Sequence, residues 1–144
     1  MAKRPAKKTD PSKPYRAARR AHATEITEDY VEAIAEVIDR DGECRVKDLA
    51  AEFGVSHVTV TKTVARLVKE GLAETEPYRP IGLTDAGREL AASCRRRHEV
   101  VLRFLMALGV PAETAEIDAE GIEHHISPVT LERMERFSSS RRES

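Results

Sequence analysis

The chain has 144 residues, with 24 Lys and Arg against 25 Asp and Glu, five His, two Cys and no Trp. No apolar run approaches the ~20 residues of a membrane span, and the basic N-terminus lacks the apolar stretch of a signal peptide. Cys44 and Cys94 make neither a disulfide framework nor a CxxC motif, so a membrane or disulfide-stapled protein is excluded and a mainly α, cytoplasmic protein is expected.

The net charge of −1 hides an asymmetry: residues 1–20 carry eight Lys or Arg against Asp10 alone, +7, which leaves −8 for the rest. With Pro5, Pro11 and Pro14 among the lysines, residues 1–15 read as a disordered basic arm. A helical pattern follows from about Arg16 to Arg40, with Ile26, Tyr30, Ile34, Val37 and Ile38 at helical spacing, ended by Asp41-Gly42. Leu49, Ala50 and Phe53 share one face of a short helix. Gly54 suits a left-handed turn, and Ser56 can cap a second helix over about His57–Glu70, burying Val60, Val64, Leu67 and Val68. Helix, tight turn and helix make a helix-turn-helix. Leu72–Glu76 and Ile81–Leu83 read as strands about the turn Pro77–Pro80, a two-stranded wing with Pro80 at its edge. Residues 16–84 thus read as a winged DNA-binding domain. Thr84 caps a long helix, about Asp85–Leu108, with Leu90, Cys94, Val101, Phe104, Leu105 and Leu108 as its apolar positions. Further helices are expected over about Pro111–Ile126 and Pro128–Phe137, placing a linker helix and a helical second domain at 85–138 and a frayed polar tail at 139–144.

On the second helix of the pair, Ser56, His57, Thr59, Thr61, Lys62 and Arg66 are not needed for the core. Small hydroxyl residues at a helix N-terminus can enter the major groove, and the two cations can neutralise phosphates. Arg79 at the wing tip can reach the adjacent backbone or minor groove. An ordinary solvated helix face, or a winged module that binds protein, would use the same residues; the order of elements favours DNA.

Carboxylates gather in a pattern of their own. Asp29 and Glu32 stand at i, i+3, and Glu120, Glu123 and His124 at i, i+3, i+4, each set on one helix face; His98 lies between them in sequence. Packed together, these donors would repel one another without a divalent cation. Each piece also reads as a solvated acidic face or a surface histidine. His125 points about 100° from His124 and stays outside the set.

Asp29-Tyr30-Val31-Glu32, Leu83-Thr84-Asp85-Ala86-Gly87, Arg97-His98-Glu99 and Asp118 to His125 occur in the order found in the DtxR/MntR family of metal-dependent repressors, which residues 20–137 resemble. The basic Arg-Ala-Ala-Arg-Arg-Ala-His run resembles the proteobacterial branch. The resemblance implies a homodimer on a pseudo-palindromic operator, repressing manganese uptake genes when metal-bound. It implies metal ligands at Asp29, Glu32, His98, Glu120, Glu123 and His124, and two Mn2+ per chain, with Glu123 and Glu32 shared between them. Iron-responsive members place Met and Cys where this chain has Asp29 and Glu120; oxygen donors favour manganese. The chain also ends without the SH3-like domain of those members. The metal is then a regulatory crosslink that fixes the winged domain on the dimer, whose hinge freedom without metal makes DNA binding costlier. An iron-responsive or metal-independent regulator, and a di-metal hydrolase, are the alternatives.

Overall fold

The computed structural model describes residues 9–142. Residues 1–8 of the expected arm lie outside the described residues. The arm's end is a correction: the first helix, α1, spans Lys13–Asp41 and includes residues 13–15. Pro14 sits in its first turn, where the ring's fixed φ and missing N–H cost nothing. The Asp10 carboxylate accepts the Ser12 N–H at 2.9 Å just before it.

The remaining elements are α2 (Val46–Phe53), α3 (His57–Lys69), β1 (Ala73–Glu74), β2 (Gly82–Leu83), α4 (Asp85–Ala107), α5 (Ala112–Ile122), a 3-10 turn (Glu123–His125) and α6 (Pro128–Arg142). Gly54 takes φ 63° and its N–H closes α2 on the Ala50 carbonyl, the left-handed turn that lets α3 leave at an angle. Ser56 Oγ accepts the Thr59 N–H at 3.1 Å and starts α3. The wing pairs Ala73 with Leu83 and Glu74 with Gly82 in antiparallel register. Its ladder is shorter than expected and gains a contact that periodicity did not indicate: the Ile81 N–H donates to the Cys44 carbonyl at 2.7 Å, tying the loop before α2 to the wing.

One core unites α1, α2, α3 and the wing, with Val31, Ile34, Val37, Cys44, Leu49, Val60 and Leu67 fully buried. Tyr30 stacks on Phe53 with ring centroids 4.5 Å apart. Val68 departs from the expected stripe and is 38% exposed; it lies about 100° around α3 from Leu67, at the rim of the contact. A second buried group, Cys94, Val100, Val101, Ala115 and Ala119, lies where α4 meets α5 and its neighbours. Phe104 of α4 meets Phe137 of α6 edge-on at 5.5 Å. Leu108 forms the C-cap of α4 and is exposed rather than part of its buried stripe. The tail is a correction as far as Arg142, where α6 ends, and residues 143–144 lie outside the described residues; Ser138 is buried with its Oγ donating to the Met134 carbonyl at 3.0 Å. A serine that returns its hydroxyl to the preceding turn can stay inside a helix, which explains why the polar composition misled.

α4 is the shared beam of both cores, and its start is fixed under the wing. Thr84 N–H donates to the Leu72 carbonyl at 3.1 Å, Thr84 Oγ1 donates to the Gly71 carbonyl at 2.6 Å, and the Gly87 N–H donates to Thr84 Oγ1 at 3.1 Å. A Cβ at Gly87 would lie 2.0 Å from the Leu72 carbonyl oxygen. Backbone cannot yield as a flexible side chain can, so Gly87→Ala is expected to destabilise the protein by at least the ~1–3 kcal/mol of ordinary overpacking. Urea unfolding checks this; a change within ~0.5 kcal/mol, the range of an ordinary surface substitution, would contradict the close approach.

Candidate metal centre and nucleic-acid interface

Three elements meet at the acidic cluster. α1 supplies Asp29 and Glu32, α4 supplies His98, and the end of α5 with its 3-10 turn supplies Glu120, Glu123 and His124. The turn departs from the continuous helix expected to Ile126. Ile126 is extended at ψ 132° and ends the turn, and Pro128 two residues later disfavours the helical region at Ser127. Tightening after Ile122 buries Glu123 and His124 and turns His125 outward, where its Nε2 meets Glu25 Oε1 at 3.1 Å.

The ligand atoms form two trios, Asp29–Glu120–His124 and His98–Glu120–Glu123, each with its atoms within 4.8 Å of one another. Glu120 is common to both. Glu123 lies between the two rings, its Oε2 2.8 Å from His98 Nδ1 and its Oε1 3.7 Å from His124 Nε2. His124 Nε2 is 3.1 Å from Asp29 Oδ1, and His98 Nδ1 is 3.4 Å from Glu120 Oε1. Glu32, which the resemblance implies to be shared between two ions, belongs to neither trio, and Glu120 takes the common position instead.

Two residues beside the cluster escaped the sequence reading. Glu28, buried, accepts at Oε2 from Arg97 Nη2 at 2.6 Å, from the Cys94 thiol at 3.3 Å and from His124 Nδ1 at 3.0 Å. Arg97 Nη1 also donates to the Glu123 carbonyl at 3.1 Å. Glu116 Oε2 lies 2.8 Å from His98 Nε2. Glu28 stands one residue before Asp29 and is buried, and no local pattern in the sequence marks it apart from the other charges of α1.

Electrostatics marks the cluster as short of positive charge. Glu32 Oε1 and Glu123 Oε1 are buried with no hydrogen-bond donor among the described residues. Burial, reinforced by the Glu120, Asp29 and Glu36 charges, pushes the Glu32 carboxyl up to about 7. Burial with the Glu32 and Glu120 charges pushes Glu123 up to about 7 despite the nearby histidines. Burial likewise raises Asp29. For His98, burial favours the neutral ring, but the hydrogen bond to Glu116 and the Glu123 and Glu120 charges outweigh it and raise its pKa. His124 is raised in the same way, against burial, by Glu28, Asp29 and Glu123. A buried carboxylate oxygen without a donor is costly, and this donor set of carboxylate oxygens and imidazole nitrogens fits a divalent cation.

On the winged half, Ser56, His57, Thr59, Thr61 and Lys62 are exposed along the first turns of α3. Thr61 Oγ1 donates to the His57 carbonyl at 2.8 Å, leaving its methyl and hydroxyl lone pairs outward. Arg66 behaves differently: it is half-buried, its Nη2 donates to Thr27 Oγ1 at 3.2 Å, and its Nε lies 3.7 Å from Glu70. It braces α3 against α1. Arg79 pairs with Glu76 at 3.2 Å on the wing. Two exposed residues join this face unforeseen. Val58, 63% exposed, stands among the hydroxyls of α3, and Tyr78 occupies the wing tip at φ 64°. The Arg79 N–H donates to the Glu76 carbonyl at 3.1 Å, so Tyr78 fills the turn position that favours glycine.

The shifted groups act on stability with one sign. Raised carboxyls at Glu32 and Glu123 hold protons between about pH 4.5 and 7 that the unfolded chain has released, so their contribution is lost as pH rises through about 7. Raised histidines contribute fully below their ordinary range and lose that contribution as pH climbs through their folded values. The metal-free protein is therefore expected to melt at progressively lower temperature between about pH 5 and pH 8. Calorimetry across that range checks it; a midpoint rising with pH would contradict the crowding of these groups.

A family model described as the N-terminal DNA-binding domain of iron-dependent repressors matches residues 22–81, and one described as their metal-binding and dimerisation domain matches residues 84–143. The transcriptional regulator MntR of Escherichia coli O6:H1 is 46% identical over 124 residues, 86% of this chain and 80% of that protein. Among solved structures, the manganese regulator SloR is 32% identical with a TM-score of 0.69, covering 78% of this chain and 53% of that one. A manganese-dependent transcriptional repressor in complex with manganese is 27% identical with a TM-score of 0.69, covering 78% and 52%. The chain spans about half the length of these two structures. This chain belongs to the iron-dependent repressor, or DtxR/MntR, family, with a DNA-binding domain followed by a metal-binding and dimerisation domain.

Proposed function

We propose that this chain is a manganese-responsive repressor that binds operator DNA as a homodimer in the cytoplasm and represses manganese uptake genes. The observation that carries the metal reading is the pair of buried, donorless carboxylate oxygens, Glu32 Oε1 and Glu123 Oε1, inside a cluster drawn from both halves of the chain. Asp29, Glu32, His98, Glu120, Glu123 and His124 are the proposed ligands. Their two trios support two ions per chain, with Glu120 and Glu123 placed to be shared. Oxygen donors at Asp29 and Glu120 favour hard, larger ions such as manganese, and the named relatives point the same way. Bound there, the cation supplies the positive charge that compensates four carboxylates.

Asp29 and Glu32 belong to the helix on which the winged half is built, and Glu120, Glu123 and His124 to the dimerisation half. Holding them together sets the angle between recognition surface and dimer, and hence the separation of two α3 helices across a palindrome, about 34–36 Å or a multiple. Ser56, His57, Thr59, Thr61 and Lys62 form the proposed groove-facing set, with Val58 added as an apolar contact for a thymine methyl. Arg66, braced on Thr27, orients α3 from behind and is proposed to contact a phosphate, as is Arg79 from the wing. Metal and DNA are coupled reciprocally, typically by about 1–3 kcal/mol. The alternative of a di-metal hydrolase falls with the family, whose members are repressors.

Titrating the metal-free protein with manganese while following the free ion by electron paramagnetic resonance tests this directly. Uptake of up to two ions per chain, lost in Glu123→Ala with the helical content retained, is expected. No uptake by micromolar protein would remove the manganese switch and leave an iron-responsive or metal-independent regulator. On the DNA side, Lys62→Ala is expected to weaken binding across sequences and reduce the logarithmic salt slope by about 1. An unchanged slope in a filter or anisotropy titration would take Lys62 off the phosphate backbone.

A further inference from the structure

Each histidine of the cluster faces carboxylates of the ligand trios with one ring nitrogen and a carboxylate outside them with the other. His98 presents Nδ1 to Glu123 and Glu120, while its Nε2 faces Glu116 Oε2 at 2.8 Å. His124 presents Nε2 to Asp29, while its Nδ1 faces Glu28 Oε2 at 3.0 Å. Neither Glu28 nor Glu116 belongs to a trio. Building on the manganese reading, we infer that Glu28 and Glu116 are positioning residues: each accepts the N–H of one ring and so fixes which nitrogen, Nδ1 of His98 and Nε2 of His124, is presented to the cation.

Glu28 is unsuited to be a ligand itself. Its Oε2 already takes three donors, and its charge is matched by Arg97 at 2.6 Å, with the carboxylate buried beneath α4. Glu116 sits one turn before Glu120 on α5, with its side chain 56% exposed, and reaches the outer edge of His98. An imidazole that ligates through one nitrogen keeps a proton on the other, and an acceptor there orients the ring and raises its basicity. The two outer carboxylates work on opposite ring nitrogens. A single rule for both histidines is therefore excluded, and the inference makes a distinct statement for each.

Glu116→Ala is the cleaner variant, because its side chain is more than half exposed and it is a ligand in neither trio. Manganese affinity is expected to fall by about 10- to 100-fold, with partial rescue in Glu116→Gln, which keeps an acceptor. Glu28→Gln also leaves Arg97 without its counter-charge, so its effect is read beside its melting temperature. The readout that a merely structural role would not move is nitrogen NMR of the cadmium-loaded chain. One-bond cadmium–nitrogen coupling is expected at His98 Nδ1 and His124 Nε2, with the other nitrogen of each ring protonated. Coupling at the opposite nitrogens, or manganese affinity in Glu116→Ala within about threefold of the parent chain, well short of the usual loss, would overturn the inference while the manganese reading stands. Failure of the parent chain to take up either ion would remove that reading and the inference with it.

Discussion

Four carboxylates are brought to one junction by three separately anchored elements, and their mutual repulsion is the constraint on which the rest depends. Asp29 and Glu32 are placed by the buried Tyr30–Val31–Ile34 face of α1, and Glu123 by the 3-10 turn that follows α5. Glu123 is fully buried and cannot leave without disturbing a core, whereas Asp29 and Glu120 reach the cluster from its exposed side. The fold therefore gathers acidic groups whose burial and mutual repulsion favour their protonated forms, with two oxygens lacking a donor among the described residues. That is the state a cation would relieve, and its cost is carried by packing elsewhere.

A second tie runs through the same junction without any cation. Arg97 on α4 reaches Glu28 of α1 and the carbonyl of Glu123 at once. α1, α4 and the turn are thus joined by a buried ion pair and by hydrogen bonds, and α4 is fixed under the wing at Gly87. The broad hinge freedom expected from the sequence is narrowed by these contacts. The proposed switch then rests on a small change of angle at a junction that stays packed. The energy scale of a regulatory coupling, about 1–3 kcal/mol, suits such an adjustment and is far below the cost of separating the halves.

The architecture was legible because its punctuation is local: Gly42, Gly54 and Gly109 sit at positive φ where helices end, and Ser56 and Thr84 cap the helices they precede. The five donors that the two trios bring together were legible through their spacing, and their proposed role as ligands rests on the resemblance. What escaped depends on contacts across the chain. Glu28 reads as one more charge on a charged helix, and only its partners 66, 69 and 96 residues away make it a hub. Glu116 reads as part of an acidic stripe until His98 is set against it. Arg66 reads as a free cation, but Thr27 lies within reach once α1 packs behind α3. The helical Lys13–Tyr15 and Ser138–Arg142 segments were missed for a different reason: composition was weighed above the first-turn proline and the back-bonding that suit them to a helix.

The central claim is that the metal cluster and the DNA face are two ends of one equilibrium. Measuring manganese affinity on the free dimer and on the dimer bound to its operator tests it most directly. The account predicts tighter manganese binding in the complex, by the same factor by which manganese tightens operator binding. Equal affinities in the two states would contradict it, leaving a metal site and a DNA-binding face on one chain with no coupling between them.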